Sequence, residues 1–441
     1  KTGFYNGAFA GSLPHTLQQT RSCGEGTGME RRTLALLCAG VVCFWLFALA
    51  FGTAQGRGLS GAIQTAQPAA AEPVRAETPA LAAAAQPQLE LNCRAALLVD
   101  QASGTVLYEM NADQQMPIAS ITKVMTLLLT FEAVHAGRLT MDTLVPVSEH
   151  AYHMGGSQIW LEPGEQFTLD EMIKAICVSS ANDAAVAVAE LVGGSEPGFV
   201  ERMNARAAEL GMTSTTFHNA CGLDTEGHLS TARDVSIMSR EILNTCPEVL
   251  HYTGIWTDTL RGGQTQLVNT NKLLRRYSGI TGLKTGTTGG AGVCISASAT
   301  RDGLSLIAVI LGAPSSKDRF DAATTLLDYG FAAYQAAPLP VLEDRPLQLK
   351  VTGSAEDSVP LDYSALPQTL LLPREGAAEL TAQIDLPEQL EAPVEQGQTV
   401  GTVKIFSGGT LLGAYDVRAA ADAPRMDFGT AWKLILGSLT G

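Results

Sequence analysis

A serine and a lysine three residues apart, in the segment PIASITKVMT, could perform nucleophilic chemistry. Ser120 and Lys123 would share one face of a helix, because residues i and i+3 are neighbours there. A serine hydroxyl is a weak nucleophile until a nearby base takes its proton. A lysine amine can be that base when burial lowers its pKa from about 10.4. The alternative is a lysine whose stem packs on apolar surface while its charge stays in water.

Two further motifs follow this pair. Ser120 alone among the serines has a lysine three residues later, and Ser180 alone has an asparagine two residues later, Asn182. Lys-Thr-Gly occurs at 1–3, without a strand pattern, and at 284–286, where it opens a predicted strand. If that strand faces Ser120, its lysine supplies a second cation that lowers the pKa of the first. Each motif alone is weak, but the three in this order are specific.

The helices and strands predicted around these motifs indicate an α+β fold. AALLVDQASGTVLYEMNAD has two β-rich runs separated by a turn, which predicts a hairpin before the Ser120 helix. Further helices are predicted over TLDEMIKAICV, where Thr168 and Glu171 have capping-box spacing, and over 183–191. Strands broken by an RDG turn are predicted over 282–313. We therefore expect an antiparallel sheet with a helical lobe, in a catalytic domain spanning 89–340.

The pattern changes after this domain. Short β runs separated by Pro and Gly, as in GQTVGTVKIFSGGTLLGAYDVRA, predict a small β-sandwich domain over 341–423. The last segment, 424–441, predicts a helix with one apolar face. That face comprises Phe428, Trp432, Ile435 and Leu439. Two interpretations remain open, a helix that packs on its own domain or one that lies in a membrane surface.

The first part of the chain is typical of export. Residues 29–54 combine two arginines after Met29 with an apolar run and small residues, as in a secretory signal. The run is also long enough for a membrane anchor, so both interpretations remain open. Residues 1–28 are interpreted as a leader upstream of the natural start, and 55–88, rich in Ala, Pro and Gln, as a disordered linker.

Composition excludes several kinds of function. A net charge of -15 argues against nucleic acid as a partner. Of the eight cysteines, the five that follow the signal form no Cys-x-x-Cys pair, so we expect neither a disulfide framework nor a zinc site. We expect no metal and no cofactor.

On these motifs, the sequence resembles the low-molecular-weight penicillin-binding proteins, which are serine-type D-alanyl-D-alanine carboxypeptidases with a C-terminal β domain. The resemblance runs from residue 89 to the C-terminus and includes FHNACGLDTEGHLSTARD. It implies a β-lactamase/transpeptidase-like catalytic domain and an acyl-enzyme mechanism. It also implies two partners, a peptidoglycan stem peptide ending in D-Ala-D-Ala and β-lactam antibiotics. The enzyme would work outside the cytoplasm, at the outer face of the cytoplasmic membrane.

The resemblance assigns eight residues to the site. The catalytic residues would be Ser120, Lys123 and Ser180, and the substrate-binding residues Asn182, Lys284, Thr285, Gly286 and Thr287. Ser180 would pass a proton to the leaving amine, Asn182 would hold a substrate amide, and Thr285 would bind the terminal carboxylate. The backbone N–H groups of Ser120 and Thr287 would form the oxyanion hole. Simpler explanations are a helix cap for Ser180 or Asn182 and an ordinary strand threonine for Thr285.

Other functions share part of this pattern. A class A β-lactamase would need Glu-x-x-Leu-Asn between Asn182 and Lys284, and the sequence lacks it. A non-catalytic β-lactam sensor or cell-wall binder would be expected to have lost the nucleophile, the base or Lys284. A DD-endopeptidase or transpeptidase is a closer alternative. His218 and His228 are expected to have structural roles or roles at the rim of the site, because no Gly-x-Ser-x-Gly elbow accompanies them.

Overall fold

The structure is a computed structural model, and it describes residues 87–342, 344–375, 379–429 and 432 of the 441-residue chain. The expectations for 1–28, for 29–54, for nearly all of 55–88 and for more than half of 424–441 lie outside the described residues. None of the helices in the part that is described is long and apolar enough to cross a membrane.

The catalytic part contains helices and strands joined by short loops and 3-10 turns. In chain order these are β1 (Ala95–Asp100), β2 (Val106–Met110), α1 (Lys123–His135), β3 (Leu144–Pro146), α2 (Glu149–Tyr152), β4 (Gln166–Thr168), α3 (Leu169–Val178), α4 (Asn182–Gly193), α5 (Glu196–Glu209), α6 (Ala232–Thr245), α7 (Val249–Thr253), β5 (Thr257–Leu260), β6 (Thr265–Val268), β7 (Ile280–Thr288), β8 (Gly292–Arg301), β9 (Leu304–Ala313) and α8 (Ser316–Ala333).

A five-stranded antiparallel sheet separates two apolar cores. Its strand order is β2-β1-β9-β8-β7, which places β7 at one edge. Successive side chains of a strand point to opposite faces. In β1, Leu97 and Val99 accordingly pack in the core of the helical lobe, whereas Ala96 and Leu98 pack in the core that α8 covers. The predicted α+β architecture is confirmed.

Local sequence signals explain how several of these elements begin and turn. Thr168 accepts a hydrogen bond from the Glu171 N–H, and the Glu171 carboxylate accepts one from the Thr168 N–H, which is the predicted capping box of α3. Asp302 and Gly303, with φ of 49° and 79°, form the turn between β8 and β9. Two residues of positive φ suit a tight hairpin.

The chain around Ser120 differs from its predicted helix. Ser120 lies in a 3-10 turn, Ala119–Thr122, and α1 begins only at Lys123. Ala119 has a φ of 49°, so the chain enters this turn from a left-handed conformation that a regular helix cannot contain. Residues i and i+3 eclipse in a 3-10 turn, and the serine and lysine therefore still share a face.

The regular elements among the remaining described residues are strands, apart from helical residues at 428, 429 and 432. These strands are β10 (Tyr334–Pro338), β11 (Gln348–Thr352), β12 (Ser358–Asp362), β13 (Thr369–Pro373), β14 (Leu380–Asp385), β15 (Leu390–Glu391), β16 (Thr399–Ser407) and β17 (Thr410–Ala419). Six of them form one sheet in the order β14-β16-β17-β12-β11-β15, and β10, which directly follows α8, pairs with β13. The prediction of an all-β second domain is confirmed.

Candidate active site

The serine–lysine pair lies where the 3-10 turn meets α1. Lys123 is 0% exposed, so the alternative of a solvated lysine is wrong. Its Nζ lies 2.9 Å from Ser120 Oγ, 2.6 Å from Asn182 Oδ1 and 2.7 Å from the Cys221 carbonyl oxygen. A neutral amine has two N–H groups and one lone pair. The two carbonyl oxygens can only accept hydrogen bonds, so they take both N–H groups and leave the lone pair for the Ser120 hydroxyl.

The two buried lysines of the motifs oppose each other's charge. Burial lowers the pKa of Lys123 to about 8. The pKa of Lys284 is lowered well below its ordinary value, first by burial and then by the charge on Lys123. The sequence argument expected Lys284 to lower the pKa of Lys123. Burial, which the sequence argument also expected, is the main cause at Lys123, whereas the repulsion between the two amines lowers the pKa of Lys284.

Ser180 connects the Ser-x-Asn loop to the edge strand. The Lys284 Nζ lies 2.8 Å from Ser180 Oγ and 2.9 Å from the Thr285 carbonyl oxygen. Ser180 has a φ of 61°, an uncommon conformation for a residue with a side chain and one that often occurs at functional sites. The N-cap of α4 is Ala181, and no side chain caps this helix end. The helix-cap explanation for Ser180 and Asn182 is therefore wrong.

Asn182 and its neighbour hold the loop that runs along this motif. Asn182 Nδ2 donates to the Gly155 carbonyl oxygen at 2.6 Å, and its backbone N–H donates to Ser157 O at 2.7 Å. Asp183 is fully buried, and its Oδ2 accepts from the N–H groups of Ile159 at 3.1 Å and Leu161 at 3.2 Å. Asn182 and Asp183 thus hold loop 155–161 in place, a contact that the sequence analysis did not predict.

Two glycines allow backbone segments to approach the 3-10 turn that contains Ser120. A Cβ at Gly286 would lie 2.9 Å from both the Ile118 carbonyl oxygen and the Ser120 nitrogen. At Gly222, whose φ is 85°, a Cβ would lie 1.9 Å from the Ala119 carbonyl oxygen. Both distances are too short for any side chain. The glycine of Lys-Thr-Gly therefore brings β7 against the amide of Ser120, as an oxyanion hole shared by the turn and the strand requires.

A buried arginine lies beside β7. Arg319 of α8 is buried, and its Nη1 donates to the carbonyl oxygens of Gly286 and Cys294, at 3.2 Å each. Burial lowers the pKa of Arg319 to about 10, so it remains charged at pH 7. On the same strand, Thr285 Oγ1 lies 2.7 Å from Thr270 Oγ1. The sequence analysis missed both Arg319 and Thr270, because neither belongs to a motif.

The two histidines do not contact Ser120. His228 Nδ1 accepts from the His218 N–H at 3.1 Å, which leaves Nε2 as the donor to Thr122 Oγ1, 2.9 Å away. Burial lowers the pKa of His228 to about 4, so the ring is neutral at pH 7. His228 therefore supports the turn that holds Ser120, in agreement with the structural role predicted for it.

Comparison with known proteins agrees with this geometry. Residues 81–315 match the family model described as D-alanyl-D-alanine carboxypeptidase, and residues 343–425 match that of the penicillin-binding protein 5 C-terminal domain. The chain belongs to the D-alanyl-D-alanine carboxypeptidase family. The carboxypeptidase DacF of Bacillus subtilis is 38% identical over 356 residues, which cover 80% of this chain and 91% of the relative.

Solved structures extend the comparison. Penicillin-binding protein 5 of Haemophilus influenzae superposes with a TM-score of 0.67 at 28% identity, over 77% of this chain and 99% of that one. Penicillin-binding protein D2 of Listeria monocytogenes, in its cefotaxime-bound form, gives a TM-score of 0.52 at 36% identity, over 56% and 100% of the two chains. The predicted family, fold and activity, a serine-type D-alanyl-D-alanine carboxypeptidase, are confirmed.

Proposed function

We propose that Ser120 is the nucleophile with which this carboxypeptidase forms an acyl-enzyme, on peptidoglycan stem peptides ending in D-Ala-D-Ala and on β-lactams. One observation carries the proposal. The Lys123 amine lies 2.9 Å from Ser120 Oγ, while two carbonyl oxygens occupy its N–H positions. In the neutral form of the amine the lone pair is therefore directed at the hydroxyl before substrate binds, which is the preorganisation that general-base catalysis needs.

Acylation follows from these contacts. Ser120 Oγ attacks the carbonyl carbon of the penultimate D-alanine, and its proton moves to Lys123 Nζ. The oxyanion is held by the N–H groups of Ser120 and Thr287, on either side of the close approach at Gly286. When the tetrahedral intermediate collapses, the C–N bond breaks and the amine of terminal D-alanine leaves. Ser180 gives its proton to that amine and takes back the proton that Lys123 accepted, directly or through Lys284, whose Nζ lies 2.8 Å from Ser180 Oγ.

The terminal carboxylate binds along β7. Thr285 offers its hydroxyl beside Thr270, Lys284 Nζ lies 2.9 Å from the Thr285 carbonyl oxygen, and the charged Arg319 guanidinium donates to the Gly286 carbonyl oxygen. Opposite charge at this strand selects a substrate with a free C-terminus. Asn182 keeps one N–H of its amide for a substrate carbonyl, because the other bonds the Gly155 oxygen. Water then hydrolyses the ester and returns Ser120 to its free form.

The same proposal places the enzyme outside the cytoplasm, at the outer face of the cytoplasmic membrane. The export signal predicted over 29–54 supports this location. So do Phe428 and Trp432, which are exposed and whose rings stack at 6.1 Å between centroids. Aromatic residues of this kind favour the membrane–water interface. Loss of vesicle co-flotation in a Phe428→Ala/Trp432→Ala variant would support membrane contact, and unchanged flotation would contradict it.

Two assays test the chemistry. A fluorescent penicillin should label the protein covalently, and mass spectrometry of the digest should place the adduct on Ser120. The protein should then release D-alanine from a soluble pentapeptide. Labelling at any other residue would show that the nucleophile is misassigned. Labelling at Ser120 without release of D-alanine would leave the acyl-enzyme in place but contradict the carboxypeptidase step.

A further inference from the structure

Three side chains that can bind metal ions meet where α1 and α6 end. They are His135, Cys246 and Glu248, and one ligand atom of each lies within 4.8 Å of the ligand atoms of the other two. His135 is the last residue of α1, Cys246 is the C-cap of α6, and Glu248 directly precedes α7. Because His135 and Glu248 are 113 positions apart in the chain, no sequence motif predicts this cluster.

The cysteine distinguishes this cluster from another histidine–glutamate pair. His135 Nε2 lies 2.6 Å from Glu248 Oε1, and His150 Nε2 lies at the same distance, 2.6 Å, from Glu196 Oε2. Among the described residues, only the first pair belongs to a group of three possible metal ligands. Its third member, Cys246, is 0% exposed. A hydrogen-bonded pair at the surface is common, but a thiol directed at such a pair adds a ligand that binds metals strongly.

The three ligand types and their spacing fit zinc. Imidazole nitrogen, thiolate sulfur and carboxylate oxygen all bind Zn²⁺, at about 2.0–2.3 Å, so in a tetrahedral site they lie about 3.3–3.6 Å from one another. The contact between His135 and Glu248 therefore has to open by about 0.7 Å. Both side chains can make this adjustment, because they are 47% and 37% exposed. Mg²⁺ and Ca²⁺ do not fit, since they prefer oxygen ligands alone.

The charges around the cluster also favour a cation. Burial raises the pKa of the Cys246 thiol, and the nearby carboxylates of Glu248, Glu132 and Glu241 raise it further. Arg206 pairs with Glu132 at 2.9 Å and with Glu241 at 2.6 Å, so one guanidinium faces three carboxylates. In addition, α1 and α6 both end here, and the C-terminal end of a helix carries a partial negative charge.

We propose that His135, Cys246 and Glu248 form a structural binding site for Zn²⁺. When the ion binds, the Cys246 thiol loses its proton to solvent, and the thiolate and the Glu248 carboxylate balance the two charges of the ion. Water occupies the fourth position. The ion links the end of α1 to the turn between α6 and α7, so its binding stabilises the folded state. Since α1 is 13 residues long, about 20 Å, the site is remote from Lys123 at the other end of this helix.

The test measures binding of Co²⁺ to the metal-free protein. Co²⁺ replaces Zn²⁺ in such sites, and its bond to a thiolate gives a charge-transfer absorption in the near ultraviolet. The wild type should gain this absorption, and Zn²⁺ should abolish it, whereas Mg²⁺ and Ca²⁺ should not. Cys246→Ala should lack the absorption. Cys93→Ala, which removes a half-buried cysteine elsewhere, is the matched control and should retain it.

Two further measurements separate loss of the site from loss of the fold. His135→Ala changes a partly exposed residue and should weaken Co²⁺ binding by at least about tenfold, since losing a group that merely supports a ligand costs that much. Zn²⁺ should raise the Tm of the wild type and of Cys93→Ala, but not that of Cys246→Ala. Each variant should still be labelled by fluorescent penicillin, which shows that its catalytic domain is folded.

The outcomes are independent of the chemistry assigned to Ser120. A cobalt–thiolate absorption that requires both Cys246 and His135 supports the zinc site, whatever the carboxypeptidase assay gives. A wild type that shows no such absorption overturns the proposal. An absorption that persists in Cys246→Ala, or an equal rise in Tm with and without this cysteine, also overturns it, because the metal would then bind elsewhere.

Discussion

The catalytic domain and the C-terminal β domain differ in what they bury. Among the described residues, every buried charged or polar side chain lies between residues 100 and 319, including two lysines of the motifs. The core of the β domain is wholly apolar, with Val403, Ile405 and Val417 fully buried. Burying a charge opposes folding unless partners compensate. The catalytic domain therefore contains buried polar groups that oppose folding but serve the proposed chemistry. The core of the β domain contains only groups that stabilise it by packing.

The first way to test this division is to remove the nucleophile. Ser120→Ala should abolish covalent labelling by fluorescent penicillin, because no other hydroxyl is 2.9 Å from the Lys123 amine in the described chain. Ser278→Ala, an exposed serine, serves as the control and should label normally. Residual labelling of Ser120→Ala at a second site would contradict the assignment of the acylation chemistry to Ser120 in the catalytic domain.

Replacing the base should have the next largest effect. Lys123→Arg keeps the charge but removes the accessible neutral form, since guanidinium stays protonated. We expect the acylation rate constant to fall about 10²- to 10⁴-fold, the usual contribution of a general base. Lys174→Arg is the matched control, because Lys174 forms surface ion pairs with Asp170 and Asp258. A rate for Lys123→Arg close to that of the control would exclude Lys123 as the base.

A single methyl group should also disturb the site. Gly286→Ala would place its Cβ 2.9 Å from Ser120 N and so push β7 away from the nucleophile turn. Since a displacement of about 1 Å can cost about 10²-fold in rate, we expect acylation to slow by that order. Gly289→Ala, in the following turn, meets nothing within 4 Å and should acylate normally. Equal rates for the two variants would show that the close approach has no catalytic role.

The β domain should respond in stability and not in rate. Ile405→Val removes one methylene from its core and should lower the free energy of unfolding of this domain by about 0.5–1.5 kcal/mol. Denaturant titration measures that change, and the acylation rate constant should match that of the wild type. Slower acylation in this variant would show that the two domains are coupled in function.

Much of this account could be predicted from sequence, because local signals determine it. The capping box at Thr168, the turn at Asp302 and Gly303 and the three motifs depend on residues near each other in the chain. The order of the three motifs was enough to predict which residues form the site. The 3-10 turn at Ser120 was not predictable in this way, since Ala119 gives no sign of its left-handed conformation.

The features of the site that the sequence did not predict depend on contacts between residues that belong to no motif. The Lys123 lone pair is directed partly by the Cys221 carbonyl, a backbone group that any residue type would supply. Arg319 reaches the Gly286 carbonyl across 33 positions of sequence, and Thr270 reaches Thr285 from a loop. The pKa values of the two lysines also depend on how deeply each amine is buried, which the sequence indicates only qualitatively. These features required coordinates.

The pH dependence of acylation tests the central claim most directly. Burial lowers the pKa of Lys123 to about 8, so the amine is protonated below that pH and becomes neutral above it. The second-order rate constant for penicillin acylation should therefore rise as pH increases, with a midpoint near 8. A rate constant that stays flat between pH 7 and 9, or that falls over this range, would contradict a neutral lysine as the base.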